Sequence, residues 1–229
     1  DIENVFDVPE RAARLAGRIR ELSGSDAVVV ATGDTTAPGV LSLVATGRQT
    51  LDFYAATDTR LDTFGNHEFD YGPDSLRGLV DDADATFVSA NVRDEHGDPF
   101  GRAEGVVPWT VRRVGGATVG FVGVTDPATD SLNPMAADLS FDDPVAAARE
   151  ALAEMRAGVA EDGDGLDHTV VLSHLGGGDD DLARELDVDA ILGGHVHSPR
   201  NERVADTLLV RPGVNGEAIV EVDLGGAGD

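Results

Sequence analysis

The chain has 229 residues, 41% of them hydrophobic and none of them cysteine, so it can bury a sizeable core but holds neither disulfides nor thiolate metal sites. Its formal net charge is -26, from 43 acidic against 17 basic residues, and every basic residue is arginine. That balance disfavours nucleic acid as a tight partner, because no basic patch is there to neutralise phosphates, and no apolar run approaches the roughly 20 residues of a membrane helix.

Asp7, Pro9 and Glu10 predict a helix start, with Asp7 as cap and the proline in the first turn. Leu15, Ile19 and Leu22 then share one face until Gly24 ends the helix. Residues 27–31 read as a strand and 32–39 as a polar loop at its C-terminal end. Short helices are expected over 40–46 and 50–56, followed by a strand over 60–64 that leads into Gly65-Asn66-His67. A helix over 74–84 and a strand over 85–90 come next. The runs 106–114 and 117–124 flank Gly115-Gly116, a hairpin signal. Asp142 and Pro144 open a long helix reaching Val159. A strand over 169–172, a helix over 179–186, a strand over 190–192 and a closing pair, 207–210 with 218–224, complete the pattern. This alternation predicts an α/β sandwich with mixed sheets and helices outside, organised as one compact domain over 1–229.

Five polar islands stand out: Asp1-Ile2-Glu3, Gly33-Asp34, Gly65-Asn66-His67-Glu68, Ser173-His174 and Gly194-His195-Val196-His197. All but the first directly follow a short apolar run, so buried strands would deliver them together at one sheet edge. Imidazole, carboxylate and amide oxygen suit borderline and hard divalent cations, and a pair of such ions is a common device for hydrolysing phosphate esters. Asp34 can bridge two cations about 3.5–4 Å apart, or it can simply cap a turn. Asn66 offers a hard-metal oxygen. His67 beside it is a candidate general acid, with Asp70 three residues on to set its tautomer. His195 and His197, at i and i+2, would face opposite ways in a regular strand but straddle two ions in an irregular loop. His96 and His168 lie in acidic, glycine-containing stretches and are expected at the surface. Trp109 and Phe121 are expected in core or hairpin packing, not as a platform for a base.

Gly33-Asp34, GNHEFDYG at 65–72, SANV at 89–92, SHLG at 173–176 and GGHVH at 193–197 together resemble the calcineurin-like metallophosphoesterases. In particular they are similar to the catalytic domain of the 5'-nucleotidase / 2',3'-cyclic phosphodiesterase / UDP-sugar hydrolase family, over essentially the whole chain. The resemblance implies a metallo-dependent phosphatase-like fold, a four-layer αββα sandwich of two mixed β-sheets flanked by helices. By matching motif it assigns Asp1, Asp34 and His197, with Glu3 as an extra ligand, to one metal, and Asp34, Asn66, His174 and His195 to the other. His67 and Asp70 match the catalytic pair: a hydroxide bridging the ions attacks phosphorus in line, and His67 protonates the leaving alkoxide. The implied function is a metal-dependent phosphoester hydrolase, a 5'-nucleotidase or 2',3'-cyclic-nucleotide phosphodiesterase acting on a small nucleotide. Phosphatase or phosphodiesterase action on non-nucleotide esters, or a metal-binding domain with impaired catalysis, are the alternatives.

Two features depart from the family pattern. Its Asp-x-His motif reads Asp1-Ile2-Glu3 here, which hardens the site and favours manganese or magnesium over zinc, with cobalt or iron also compatible. The C-terminal domain that binds the base in such nucleotidases lies outside 1–229. The diffuse acidity, as at Asp81-Asp82, Asp142-Asp143 and Asp179 to Asp181, resembles that of haloarchaeal proteins, whose self-repulsion is screened by salt. A cytoplasmic location without membrane partners is expected.

Overall fold

The computed structural model describes residues 1–161 and 165–225. Its strands are β1 (Val29–Val30), β2 (Thr59–Asp62), β3 (Thr86–Phe87), β4 (Val92–Arg93), β5 (Trp109–Val114), β6 (Ala117–Thr125), β7 (Ser140–Phe141), β8 (His168–His174), β9 (Ala190–Gly193), β10 (Arg200–Val204) and β11 (Thr207–Arg211). The helices are α1 (Pro9–Leu22), α2 (Val40–Ala45), α3 (Gln49–Thr57), α4 (Pro73–Asp82), α5 (Thr129–Leu132), α6 (Pro144–Glu161) and α7 (Asp179–Glu185). A parallel three-stranded sheet runs β1-β2-β3, and a mixed six-stranded sheet runs β10-β11-β9-β8-β6-β5. A short antiparallel pair, β4 with β7, stands apart.

Three apolar layers show how these elements stack. Leu15, Phe53, Leu76, Leu79 and Phe87 join α1, α3 and α4 to the outer face of the small sheet. Leu61 and Val88 meet Val119, Phe121, Val170 and Leu172 between the two sheets. On the far face of the large sheet, Val122, Val124, Val171 and Ile191 meet Leu152 and Met155 of α6 and Leu182 of α7. Side chains alternate faces along a strand, so Phe121 and Val122 belong to different layers. All nine residues of β6 are buried, because both faces of that strand are covered. The architecture is therefore helix, sheet, sheet, helix, as the family resemblance implies.

Several local expectations change. Asp7 does not cap α1, which follows Val8 with no side-chain cap. A 3-10 turn at Glu3–Asp7 aims its carboxylate at α2 instead, where the two oxygens accept Val40 N–H and Leu41 N–H at 2.9 Å each. Two orphan donors of one helix thus meet the two acceptors of one carboxylate. Residues 218–224 have strand-like alternation but no regular structure. The reason is that β11 already has partners on both edges, β9 on one and β10 on the other. The charged residues Arg200, Glu202 and Arg203 concealed β10 from hydrophobic pattern. His168 is not at the surface: it opens β8 beside Val119, its side chain 12% exposed and its Nδ1 3.7 Å from Asp189 Oδ1. His96 is exposed, as expected. Trp109 and Phe121 both pack in apolar layers, on opposite faces of the sheet. No helix among the described residues is long and apolar enough to cross a membrane.

At Gly123 the backbone of β6 meets the backbone that follows β3. Ala90 N–H donates to Gly123 O at 2.8 Å, and a Cβ on Gly123 would collide with the Val88 carbonyl. Replacing Gly123 with Ala is expected to cost about 1–3 kcal/mol by overpacking, read as a lower urea midpoint. An unchanged midpoint would show that the two backbones separate without cost.

Candidate metal centre

Parallel strands bring the predicted residues to one edge, because their C-terminal ends all face the same way. Asp34 follows β1, Asn66 follows β2, His174 ends β8 and His195 follows β9. Two buried carboxylates set the first two loops. Glu68 Oε2 accepts Asp34 N–H at 2.7 Å and Gly65 N–H at 2.6 Å, while Oε1 accepts Thr35 N–H at 2.8 Å and Thr36 N–H at 3.1 Å. Glu68 reads in the sequence as one of the ligand island, yet it serves as a clasp between backbones. Asp62 accepts Gly33 N–H at 2.9 Å, Thr63 N–H at 2.8 Å and the Thr35 hydroxyl at 2.9 Å, and also bonds the Tyr54 hydroxyl. Burial, and then the nearby Glu68 charge, push its carboxyl up to about 6.

The glycine in each island has a steric reason. A Cβ on Gly33 would lie 2.7 Å from His174 Nδ1, one on Gly65 2.6 Å from His174 Cε1, and one on Gly194 2.9 Å from His174 Nδ1. Three loops therefore close directly on the fully buried His174 ring. Glu3, Asp34 and His195 also hold left-handed backbone, with φ of 34°, 52° and 69°. Such conformations cost about 1–3 kcal/mol each and cluster where side chains must be aimed.

The donor atoms suit a cation. His174 Nδ1 lies 2.6 Å from the Thr32 carbonyl, which fixes the proton there and leaves Nε2 as a lone pair. That Nε2 is 3.0 Å from Asp34 Oδ2, yet it has no hydrogen-bond partner. Asp1 Oδ2 and Asn66 Oδ1 are likewise buried without partners. Three orphaned acceptors on three predicted ligands are what a missing positive charge would leave, since each unsatisfied buried group costs about 1–3 kcal/mol. Among the described residues two groups could hold an ion, Asp34-His174-His195 and Glu3-Asp34-His67, with ligand atoms within 4.8 Å of one another in each group. Asp34 is common to both. Burial pushes its carboxyl up, but the His174 imidazole when protonated, with His67, holds it well below the usual carboxylate range, and a bound cation would take the place of that charge.

Asp1 and His197 sit at the margin of these groups. Asp1 Oδ1 accepts His195 N–H at 3.2 Å, and His197 Nε2 lies 3.0 Å from Glu3 Oε1 on a half-exposed side chain. Glu3 itself is buried and faces inward with Asp34 and His67. The sequence motif sets His67 beside the metals but outside their ligand sets, whereas in the structure it stands within one candidate group.

His67 Nδ1 is 2.9 Å from Asp70 Oδ2. That bond raises the imidazole to about 9, against burial, with the Asp34 charge adding to it. Two residues absent from the sequence reading complete the arrangement. Asp126 Oδ2 lies 3.3 Å from His195 Nε2, and Asn133 Nδ2 donates to Asp70 Oδ1 at 2.9 Å. Asp126 was findable, because it directly follows the apolar run of β6 as the other islands follow theirs. Asn133, next to Pro134, gives only a turn signal. Behind the histidine loops, Asp179 accepts the Ser173 hydroxyl at 2.6 Å and Arg211 Nη2 at 2.7 Å, a buried ion pair that Arg211 extends to Gly176 O at 2.9 Å. Asn91 of the SANV motif exchanges bonds of 2.8 and 2.9 Å with the Thr125 backbone and so fastens the end of β6.

This layering, with acidic and imidazole groups at its strand ends that could hold cations, is the arrangement of the metallophosphoesterase class. Residues 7–199 match the calcineurin-like phosphoesterase family, and the chain belongs to it. Among relatives, it is 28% identical over 194 residues to a snake venom 5'-nucleotidase of Gloydius brevicauda, covering 81% of this chain and 32% of that protein. Its structure is similar to that of a 5'-nucleotidase precursor from Thermus thermophilus, with TM-score 0.76 and 28% identity over 90% of this chain and 43% of the other. It is equally similar to the sulfate thiohydrolase SoxB of the same organism, with TM-score 0.76 and 26% identity over 94% and 42% of the two chains. The chain spans only 25% and 32% of the length of two curated relatives that it matches.

The raised imidazole gives a signed expectation. His67 contributes stability that is fully present below about pH 6.5, its ordinary value, and that is lost as pH rises through about 9. In metal-free protein, Asp70→Asn should move the NMR titration midpoint of His67 down toward the ordinary range. A midpoint that stays put would remove Asp70 as the cause.

Proposed function

We propose that this chain is the catalytic part of a 5'-nucleotidase or 2',3'-cyclic-nucleotide phosphodiesterase, with 1–229 acting as one domain. The observation that carries the reading is the Asp34 carboxylate, within reach of His174 and His195 on one side and of Glu3 on the other, beside a hydrogen-bonded His67–Asp70 pair. Asp34, Asn66, His174 and His195 would hold one ion, and Asp1, Glu3, Asp34 and His197 the other. When bound, the two ions supply Lewis-acid polarisation of the phosphoryl oxygens and a nucleophile from water at neutral pH. Glu3 in place of an imidazole makes the second set oxygen-rich, which favours manganese over zinc.

The chain's own residues do the rest. Asp70 holds Nδ1 of His67, so Nε2 is the nitrogen turned to the substrate. An imidazole raised to about 9 keeps its proton through neutral pH and gives it to the leaving oxygen as the P–O bond breaks. The nucleotide assignment is supported by the relatives named 5'-nucleotidase. The equal likeness to a sulfate thiohydrolase supports a second reading, hydrolysis of a non-nucleotide ester.

The test is bound metal measured together with hydrolysis of AMP and of bis-p-nitrophenyl phosphate, in molar KCl with added manganese. Two ions per chain with turnover are expected, and the preferred substrate separates nucleotidase from diesterase. His67→Ala should lower turnover by about 10² to 10⁴ with metal content unchanged. Asp34→Ala should lose both ions, and two retained ions would refute its bridging role.

The lysine-free, acidic composition supports a further proposal, a protein adapted to a salt-rich cytoplasm. Thermal stability should rise steadily between low and molar KCl as self-repulsion is screened. Equal melting temperatures at both ends would sink that idea.

A further inference from the structure

We propose that Asn133 is a positioning residue for proton delivery, acting through Asp70 on His67. This rests on the reading of His67 as general acid. Asn133 is buried between α5 and the 3-10 turn Pro134–Ala136, and its amide nitrogen is turned to the site. One amide nitrogen donates to Asp70 Oδ1 at 2.9 Å and to the Asn66 carbonyl at 2.8 Å. The amide oxygen accepts Met135 N–H at 3.0 Å and so caps the turn that presents the side chain.

Asp70 has two oxygens and two tasks. Oδ2 holds His67 Nδ1 at 2.9 Å, and Oδ1 is held by Asn133. A carboxylate anchored at only one oxygen swings about a broad torsion, and the imidazole swings with it. The bond to the Asn66 carbonyl ties the same amide to the backbone of a proposed metal ligand. The acid and that ligand are thus registered to one another by a single side chain. The loop that carries Asn133 begins at Asp126, which faces His195, so this one connection touches both halves of the site.

Asn133→Asp separates positioning from folding. The replacement keeps an oxygen to accept Met135 N–H, so the turn stays capped, but removes both donors. Asn133→Ala removes the cap as well. Turnover is compared on AMP, whose alkoxide needs a proton to leave, and on p-nitrophenyl phosphate, whose phenolate leaves without one. Metal content and melting temperature are followed alongside. Both variants should lose about 10- to 100-fold on AMP, the range expected for a misplaced catalytic group, with a loss at least about fivefold smaller on the aryl ester. His67→Ala should show the same bias, more strongly. In metal-free Asn133→Asp, exchange of the His67 Nδ1 proton with solvent should quicken by NMR. Equal losses on both esters, or none on either, would overturn the role of Asn133 while the bias of His67→Ala stood. Loss of that bias in His67→Ala would overturn the general-acid reading, and this inference with it.

Discussion

One buried carboxylate holds the centre of this protein together. Glu68 accepts backbone N–H groups from Asp34, Thr35, Thr36 and Gly65, all between 2.6 and 3.1 Å. Burying a lone carboxylate costs several kcal/mol, and hydrogen bonds to a charged group each return about 1.5–3 kcal/mol. Four such bonds offset the burial. They also weld the loop after β1 to the loop after β2, which places Asp34 against His67, whose N–H donates to Asp34 Oδ1 at 2.9 Å. Everything that Asp34 does depends on that weld.

Around it the molecule spends stability on aim. Three glycines give up side chains so that loops can close on His174, and three non-glycine residues hold left-handed backbone. Buried acceptors on Asp1, Asn66 and His174 go without donors. Each is unfavourable for the protein alone, and a cation between the loops would satisfy the buried acceptors. Cations bound there would therefore also stabilise this edge, as any ligand does that binds only the folded form. The remaining support comes from the layers beneath, where β6 and β8 are covered on both faces and cannot yield.

Much of this was legible because chemistry and pattern coincide. Apolar runs ended at Asp34, Asn66, His174 and His195, and parallel strands carry their ends to one edge. What pattern missed was of two kinds. β10 was concealed by alternating charges, and 218–224 was given a sheet position that β10 already fills. Asp7 was assigned to the helix nearest in sequence, although its carboxylate reaches α2 across the fold. For Asp7 a local signal was outvoted by a partner distant in the chain, whereas β10 took the edge of β11 as its hairpin neighbour.

The sequence by itself determined the layered α/β class, the strand-end placement of the islands and the residue types that meet there, since these follow from periodicity and donor chemistry within short windows. Only the tertiary structure decided which carboxylates clasp backbone and which face the candidate metal site. Glu68 and Asp70 stand two residues apart in one motif, yet one turns inward to four backbone donors and the other outward to His67 and Asn133. Its spacing from His67 marks Asp70, but nothing local marks Glu68 as a clasp. Their roles depend on loops more than 30 residues upstream and more than 60 residues downstream, which meet them only when the sheets have packed.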